Sequence, residues 1–190
     1  MSDAIFMLRL EHGNIARVLD LIEDQVLRLE SGASIDGSLV LLAVEYLKDY
    51  PEECHHPKED LIFRKLRERA PEAAEIVGDL EAEHERIGTL ARHFREAIQN
   101  VLDEVEVSRD AFDTVARHFI RDQRRHLQME EERFFPLAVE KLTPGDWAEI
   151  DARITDEDDP VFGSDAAADF AALRNDLLQW EEEDEAEESD

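Results

Sequence analysis

The sequence predicts an all-α fold: an up-down-up-down four-helix bundle (residues 1–142), extra C-terminal helices (143–180) and an acidic tail (181–190). Three observations carry it. Apolar residues recur at alternating steps of three and four, the period of one helix face. The breaks between periodic stretches are short, which makes consecutive helices antiparallel neighbours. No strand-like alternation or regular solenoid repeat interrupts the pattern. At 190 residues, 43% of them hydrophobic, the chain can build one domain with a sizeable core.

The first stripe is Ile5, Leu8, His12, Ile15, Leu19, Ile22, Val26 and Leu29, with His12 its only polar member. "SGAS" (Ser31–Ser34) ends it, and Asp36 can cap the next helix. The second helix spans about Asp36 to Arg69. Pro51 and Pro57 lie inside it and each removes a backbone donor, which predicts a kink or short break. The stripe resumes as His55, Glu59, Ile62 and Leu66. Pro71 suits the start of a third helix, whose stripe is Val77, Leu80, His84, Ile87, Ala91, Phe94, Ile98 and Val101. A fourth helix starts near Ser108 and carries Phe112, Ala116, Phe119, Gln123, His126, Glu130, Phe134 and Leu137. Pro136 should bend or end it. After "TPGDW" come a short helix to about Ile154, a turn-rich "TDEDDPVFGSD", and a final amphipathic helix from about Ala166 to Trp180. The like-charge block "EEEDEAEESD" is expected to be disordered.

A formal net charge of −28 argues against nucleic acid, whose phosphates require Lys and Arg, and against anionic membrane surfaces. No apolar run is long enough to span a membrane, and "MSDAIFMLRL" does not read as a secretory signal. Cys54 is the only cysteine, so no intramolecular disulfide is possible and a cytoplasmic home is expected.

Four apolar stripes are each interrupted by His, or by His with Glu four residues later. Counted from the loops at about 1.5 Å per residue, the interruptions fall within a turn or so of one height. An antiparallel bundle therefore brings His12, His55, Glu59, His84, His126 and Glu130 into one buried layer. Two buried carboxylates and four unpartnered imidazoles carry a large desolvation cost, which metal cations would remove. His and Glu at i and i+4 share a helix face. Two such pairs plus two single histidines suit two metals bridged by two carboxylates. Nitrogen and oxygen donors without thiolate favour iron or manganese over copper, with zinc open on affinity grounds.

These residues, in that order over four helices, resemble the hemerythrin-like (HHE cation-binding) family. "HHPKED" followed by Leu61, Ile62 and Phe63, and "EEERFFP" (Glu130–Pro136), resemble its bacterial members over about residues 5 to 140. The resemblance implies a non-haem di-iron centre, iron ahead of manganese or zinc. His55 and His126 would be terminal ligands, Glu59 and Glu130 bridges, and His12 and His84 would complete the set. Respiratory hemerythrins carry a second histidine four residues after the first on the third helix. Here that position is Gly88, which weakens a simple oxygen-carrier reading. His56, next to His55, is either the replacement ligand or a half-exposed histidine at a helix break. Tyr50, Glu81, Asp122 and Gln123 are candidates to orient the imidazoles, although Glu81 and Asp122 read better as exposed polar residues on helix faces. His93 should face away from the layer, His118 is read as structural, and Cys54 as a small apolar residue.

The expected function is a di-iron protein that binds or reacts with dioxygen or a related small oxidant such as peroxide or nitric oxide. An iron or oxygen sensor without turnover is the alternative. Leu173, Leu177, Leu178 and Trp180 of the last helix would dock on the bundle or on a protein partner.

Overall fold

The computed structural model describes residues 2–103, 108–154, 159–164 and 168–188, and no strand occurs among them. Helix α1 (Asp3–Ser31) starts at Ser2, whose hydroxyl accepts from the Ala4 amide. It ends at Gly32, where φ is 93°, a left-handed conformation that a Cβ would strain. Asp36 caps α2 (Gly37–Tyr50) by accepting from the Leu39 amide.

At Pro51 the helix widens rather than breaks. Pro51–His55 is a π-helical turn, and α3 (His56–Arg69) continues from it directly. Pro51 and Pro57 each fall in the first two positions of the segment they enter, where a missing N–H costs least. The expected third helix is divided. Pro71 opens α4 (Pro71–Val77), Gly78 stops it with φ 91°, and α5 (Leu80–Leu102) begins at Asp79, whose carboxylate accepts from the Ala82 amide. Val77 and Leu80 keep helical spacing across this break, so periodicity alone gave no sign of it.

Ser108 caps α6 (Arg109–Met129) through the Ala111 amide. A second π-helical turn, Glu130–Phe134, leads into α7 (Phe135–Lys141), so Pro136 falls near a helix start and the helix runs on. Helix α8 (Pro144–Asp151) opens with a reciprocal Thr143–Asp146 capping box. A 3-10 turn (Ala168–Phe170) precedes α9 (Ala171–Glu188). The α9 backbone stays helical through Glu188, into the acidic run for which disorder is expected. Residues 155–158, 165–167 and 189–190 of the predicted extension and tail lie outside the described residues.

Helix α2 packs on α5, α5 on α6, and α1 on both α6 and α2, closing a ring of four. Helices α3 and α7 extend the second and fourth arms and pack on each other. The interior holds two separate apolar cores. One contains Ile15, Leu19, Ile22, Val44, Leu47, Phe94 and Phe119. The other contains Ile5, Leu8, Ile62, Phe63, Leu66, Leu80 and Phe134. Each arm crosses from one core to the other at its His or His–Glu interruption, so the polar residues form a layer between two dry regions. Leu173 and Leu177 of α9 are fully buried against α1 and α2, while Leu178 is exposed. The last helix thus docks on the bundle.

Candidate metal centre

Both His–Glu pairs sit at π-helical turns. The first turn ends at His55, one helical turn before Glu59; the second begins at Glu130, one turn after His126. The extra residue in each turn rotates the next segment of chain relative to an ideal helix, and such bulges occur often at functional sites. Here they let ligand-type side chains face inward while Ile62, Phe63, Phe134 and Phe135 still reach the second core.

Glu59 and Glu130 are fully buried, and each divides its two oxygens between two groups of histidines. On one side, Glu59 Oε1 lies 3.5 Å from His12 Nε2 and 3.4 Å from His55 Nε2, and Glu130 Oε2 lies 3.4 Å from His12 Nε2. On the other, Glu59 Oε2 lies 3.4 Å from His84 Nε2. Glu130 Oε1 stands 3.6 Å from His84 Nε2 and 3.1 Å from His126 Nε2. Ligand bonds of about 2.1 Å put neighbouring donors on one cation about 3 Å apart, close to these spacings. Two groups converge this closely. His12, His55, Glu59 and Glu130 form one; His56, Glu59, His84 and His126 form the other, with Glu59 common to both.

The donor atoms are unsatisfied without a cation. Both oxygens of Glu59 and of Glu130, His84 Nε2, and both ring nitrogens of His126 are buried without a hydrogen-bond partner. Natural proteins rarely leave so many polar atoms orphaned in one place. The tautomers add to the case. His12 Nδ1 faces Glu131 Oε1 at 3.0 Å and His55 Nδ1 faces Glu11 Oε2 at 2.7 Å, so both Nδ1 atoms donate. Both Nε2 atoms are then free to accept, yet they face each other at 3.1 Å. Two lone pairs do not approach so closely unless a proton or a cation lies beside them.

The electrostatics agree. Burial lowers the His12 pKa, but the nearby Glu130 and Glu59 carboxylates outweigh it and push it up to about 10. His84 is likewise raised to about 11, because Asp60, Glu130 and Glu59 overcome burial. Burial pushes the Glu59 carboxyl up, and the surrounding histidines, His55 foremost, hold it well below the ordinary carboxylate range. Without metal, protons on the histidines supply the counter-charge. A cation competes with them for the same lone pairs.

His56 settles among the histidines rather than at a bare helix break. Its ring stacks on His84 with centroids 3.8 Å apart and stands edge-on to His126 at 6.0 Å. It is half-buried. Burial, with His84 and His55 adding to it, pushes its pKa well below the usual value. Gly88 lies opposite, on a cavity of about 600 Å³ lined also by His56 and His84. His93 and His118 are exposed, outside the layer. Cys54 is half-buried beside the larger core.

The supporting shell differs from the one expected. Of its four candidates, Tyr50 is buried near Glu11, and burial first and the Glu11 charge second push its phenol up. Gln123 is buried with an unpartnered side-chain nitrogen. Glu81, half-exposed, pairs with Arg64, and Asp122, buried, pairs with Arg86. The residues that hydrogen-bond imidazoles are Glu11 and Glu131, and Asp60 stands 3.6 Å from His84 Nδ1. Asp60 and Glu131 were signalled by sequence, since an acid directly follows each buried glutamate of the layer. Asp60, beside Glu59, faces His84 on α5; Glu131, beside Glu130, faces His12 on α1. Glu11 carried no such signal. It is buried with Lys58, whose ammonium pairs with it.

A helical bundle with two convergent His–Glu groups between two dry cores defines a protein able to hold metal cations through nitrogen and oxygen donors. The family model of the hemerythrin HHE cation-binding domain matches residues 3–138, and the chain belongs to that family. No curated protein and no solved structure gives a match. Among the described residues, no helix is long and apolar enough to cross a membrane.

Proposed function

We propose that this protein is a non-haem di-iron protein that binds or reacts with dioxygen or a related small oxidant. The observation that supports this best is the division of Glu59 and Glu130, one oxygen toward each histidine group. In this reading His12 and His55 would hold one ion and His56, His84 and His126 the other, with Glu59 and Glu130 as donors to both. Mixed imidazole and carboxylate donors without thiolate favour iron, and a bridged pair of redox ions would supply electrons to a small oxidant. The protein's own part is to keep the pair dry and oriented. Phe135 stacks on His12 with centroids 5.2 Å apart. Glu11 and Glu131 fix which nitrogens of His55 and His12 carry protons, and the two cores keep bulk water from both sides.

Metal analysis of freshly purified protein, with visible absorption recorded before and after reduction and re-oxygenation, tests the proposal. Two irons per chain with a band that bleaches and returns are expected, and Glu130→Ala should lose the pair. Colourless zinc, or two irons retained in Glu130→Ala, refutes it.

A second reading, a sensor without turnover, draws on a separate observation. Asp159, in the C-terminal extension, accepts from the Tyr46 hydroxyl at 2.9 Å. Tyr46 stacks on Tyr50, Tyr50 lies within reach of the Glu11 charge, and Glu11 holds His55. Metal occupancy could reach the extension, and a protein partner on α9, along this chain. A large melting difference between metal-free and loaded protein with negligible turnover would favour the sensor.

A further inference from the structure

The histidines of the layer are not held alike. His12, His55 and His84 each present Nδ1 to a carboxylate: Glu131, Glu11 and Asp60. His56 has no hydrogen-bond or ion-pair partner among the described residues. Ring contacts alone hold its side chain, with His84, His55 and His126, and it lies between a π-helical turn and Pro57. It is also the histidine that meets the outside, because with His84 it forms the inner wall of the cavity of about 600 Å³.

Gly88 lines the same cavity. A Cβ there would sit 3.6 Å from Arg92 Nη1 and 3.9 Å from Glu52 Oε2, so a side chain could be accommodated, and its absence leaves the passage open. The cavity's other cations are engaged, Lys48 by Asp49 and Arg64 by Asp60 and Glu81. Arg92 donates to the Thr89 hydroxyl at 2.8 Å and forms no ion pair among the described residues. In an acidic chain, that is a guanidinium without an ion-pair partner among the described residues, over the gap beside the second histidine group. Glu52 and Glu85 also line the wall, and salt screens the more distant negative charge within about 8 Å at physiological ionic strength.

We propose that His56 is an exchangeable ligand, and that a small inorganic anion entering the cavity beside Gly88 and Arg92 takes its place at the His84–His126 position. This rests on the two-metal reading above. The exchange changes no oxidation state: one nitrogen donor leaves the cation and one donor atom of the anion replaces it. His12 and His55, stacked on Phe135 or tethered to buried Glu11, stay in place.

The test uses full-length, iron-loaded protein, with azide as the anionic probe and nitric oxide as the neutral one, read by stopped-flow absorption. His56→Ala should keep two irons and bind azide about tenfold tighter, because the competing imidazole is gone. Gly88→Leu should keep two irons and slow association of both probes by about tenfold or more by filling the passage. Arg92→Ala should weaken azide and leave nitric oxide unchanged. Loss of one iron from His56→Ala makes the histidine a fixed ligand and overturns the proposal. Unchanged association in Gly88→Leu moves the passage elsewhere, and unchanged azide affinity in Arg92→Ala removes the anion preference; either result overturns it. Fewer than two irons in the unmodified protein refutes the two-metal reading itself, and the proposal with it.

Discussion

Replacing Glu11 by glutamine tests how the layer is supported. Glu11 is 6% exposed and meets two donors: His55 Nδ1 at 2.7 Å and the Lys58 ammonium. Burial pushes its carboxyl up, but the bonds to His55 and Lys58 hold it below the ordinary range, so it carries charge in the native protein. Glutamine keeps the shape and one acceptor but removes the charge, leaving Lys58, 4% exposed, as an unpaired buried cation. Breaking a buried pair from one side costs about 3–5 kcal/mol. In a chain of this size each kcal/mol lowers the melting temperature by about 2–4 °C, so a fall of about 6–20 °C is expected. Metal affinity should also fall by about 10–100-fold, since His55 loses the group that fixes its tautomer. Thermal unfolding of metal-free protein measures the first effect, and competition with a chelator the second. Lys58→Met added to Glu11→Gln should recover most of the stability without restoring metal affinity. A single variant that melts within about 2 °C of the parent would refute the reasoning, because a loss below about 1 kcal/mol is that of an exposed pair. A double variant no better than the single would refute it as well.

Further outcomes rest on the same geometry. Metal loading near pH 8 should release about two protons per chain from His12 and His84, measurable in weakly buffered solution, since both hold protons to about pH 10 and 11 in the cation-free layer. Both pKa values are raised by folding, so their stabilisation is full below about pH 6.5. In metal-free protein it should decline from there to about pH 10–11, by up to about 1.4 kcal/mol per pH unit for each retained proton. Chemical denaturation across that range reads the slope, and a flat profile would contradict it. Gly88→Ala should stabilise the protein by about 0.5–1 kcal/mol, because the helix interior gains a better former and the new Cβ meets only ordinary contacts. Equal or lower stability would show strain there. Tyr46→Phe should cost about 1–2 kcal/mol, since buried Asp159 loses the phenol and keeps Asn14 and the Val161 and Phe162 amides. Amide exchange in α9 should rise with it.

The one-dimensional pattern carried most of the architecture. Caps at Asp36 and Ser108, the stop at Gly32 and the four interrupted stripes are local properties, set by backbone conformation and by periodicity, so they can be read in order along the chain. The stripes even placed their polar members at one height, because rise per residue and loop position are enough for that. The division of the third arm at Gly78–Asp79 escaped the stripe, since Val77 and Leu80 satisfy helical spacing on both sides of the break. The π-helical turns escaped it too. Pro51 signalled a disturbance but not a widening, and nothing local marked Glu130–Phe134.

Which atoms meet was decided only in three dimensions. Sequence determined that His12, His55, Glu59, His84, His126 and Glu130 would share a layer, and left His56 open. Tertiary packing turned each glutamate so that its two oxygens serve opposite histidine groups, stacked His56 on His84, and brought Asp60 and Glu131 to imidazoles on other helices. It also buried Glu11 with Lys58 and left the Gly88 side open to solvent. The physical reason is range. Capping and amphipathic periodicity act within about one turn of helix, whereas a rotamer, a tautomer or a cavity depends on side chains that only the closed ring of α1, α2, α5 and α6 brings together.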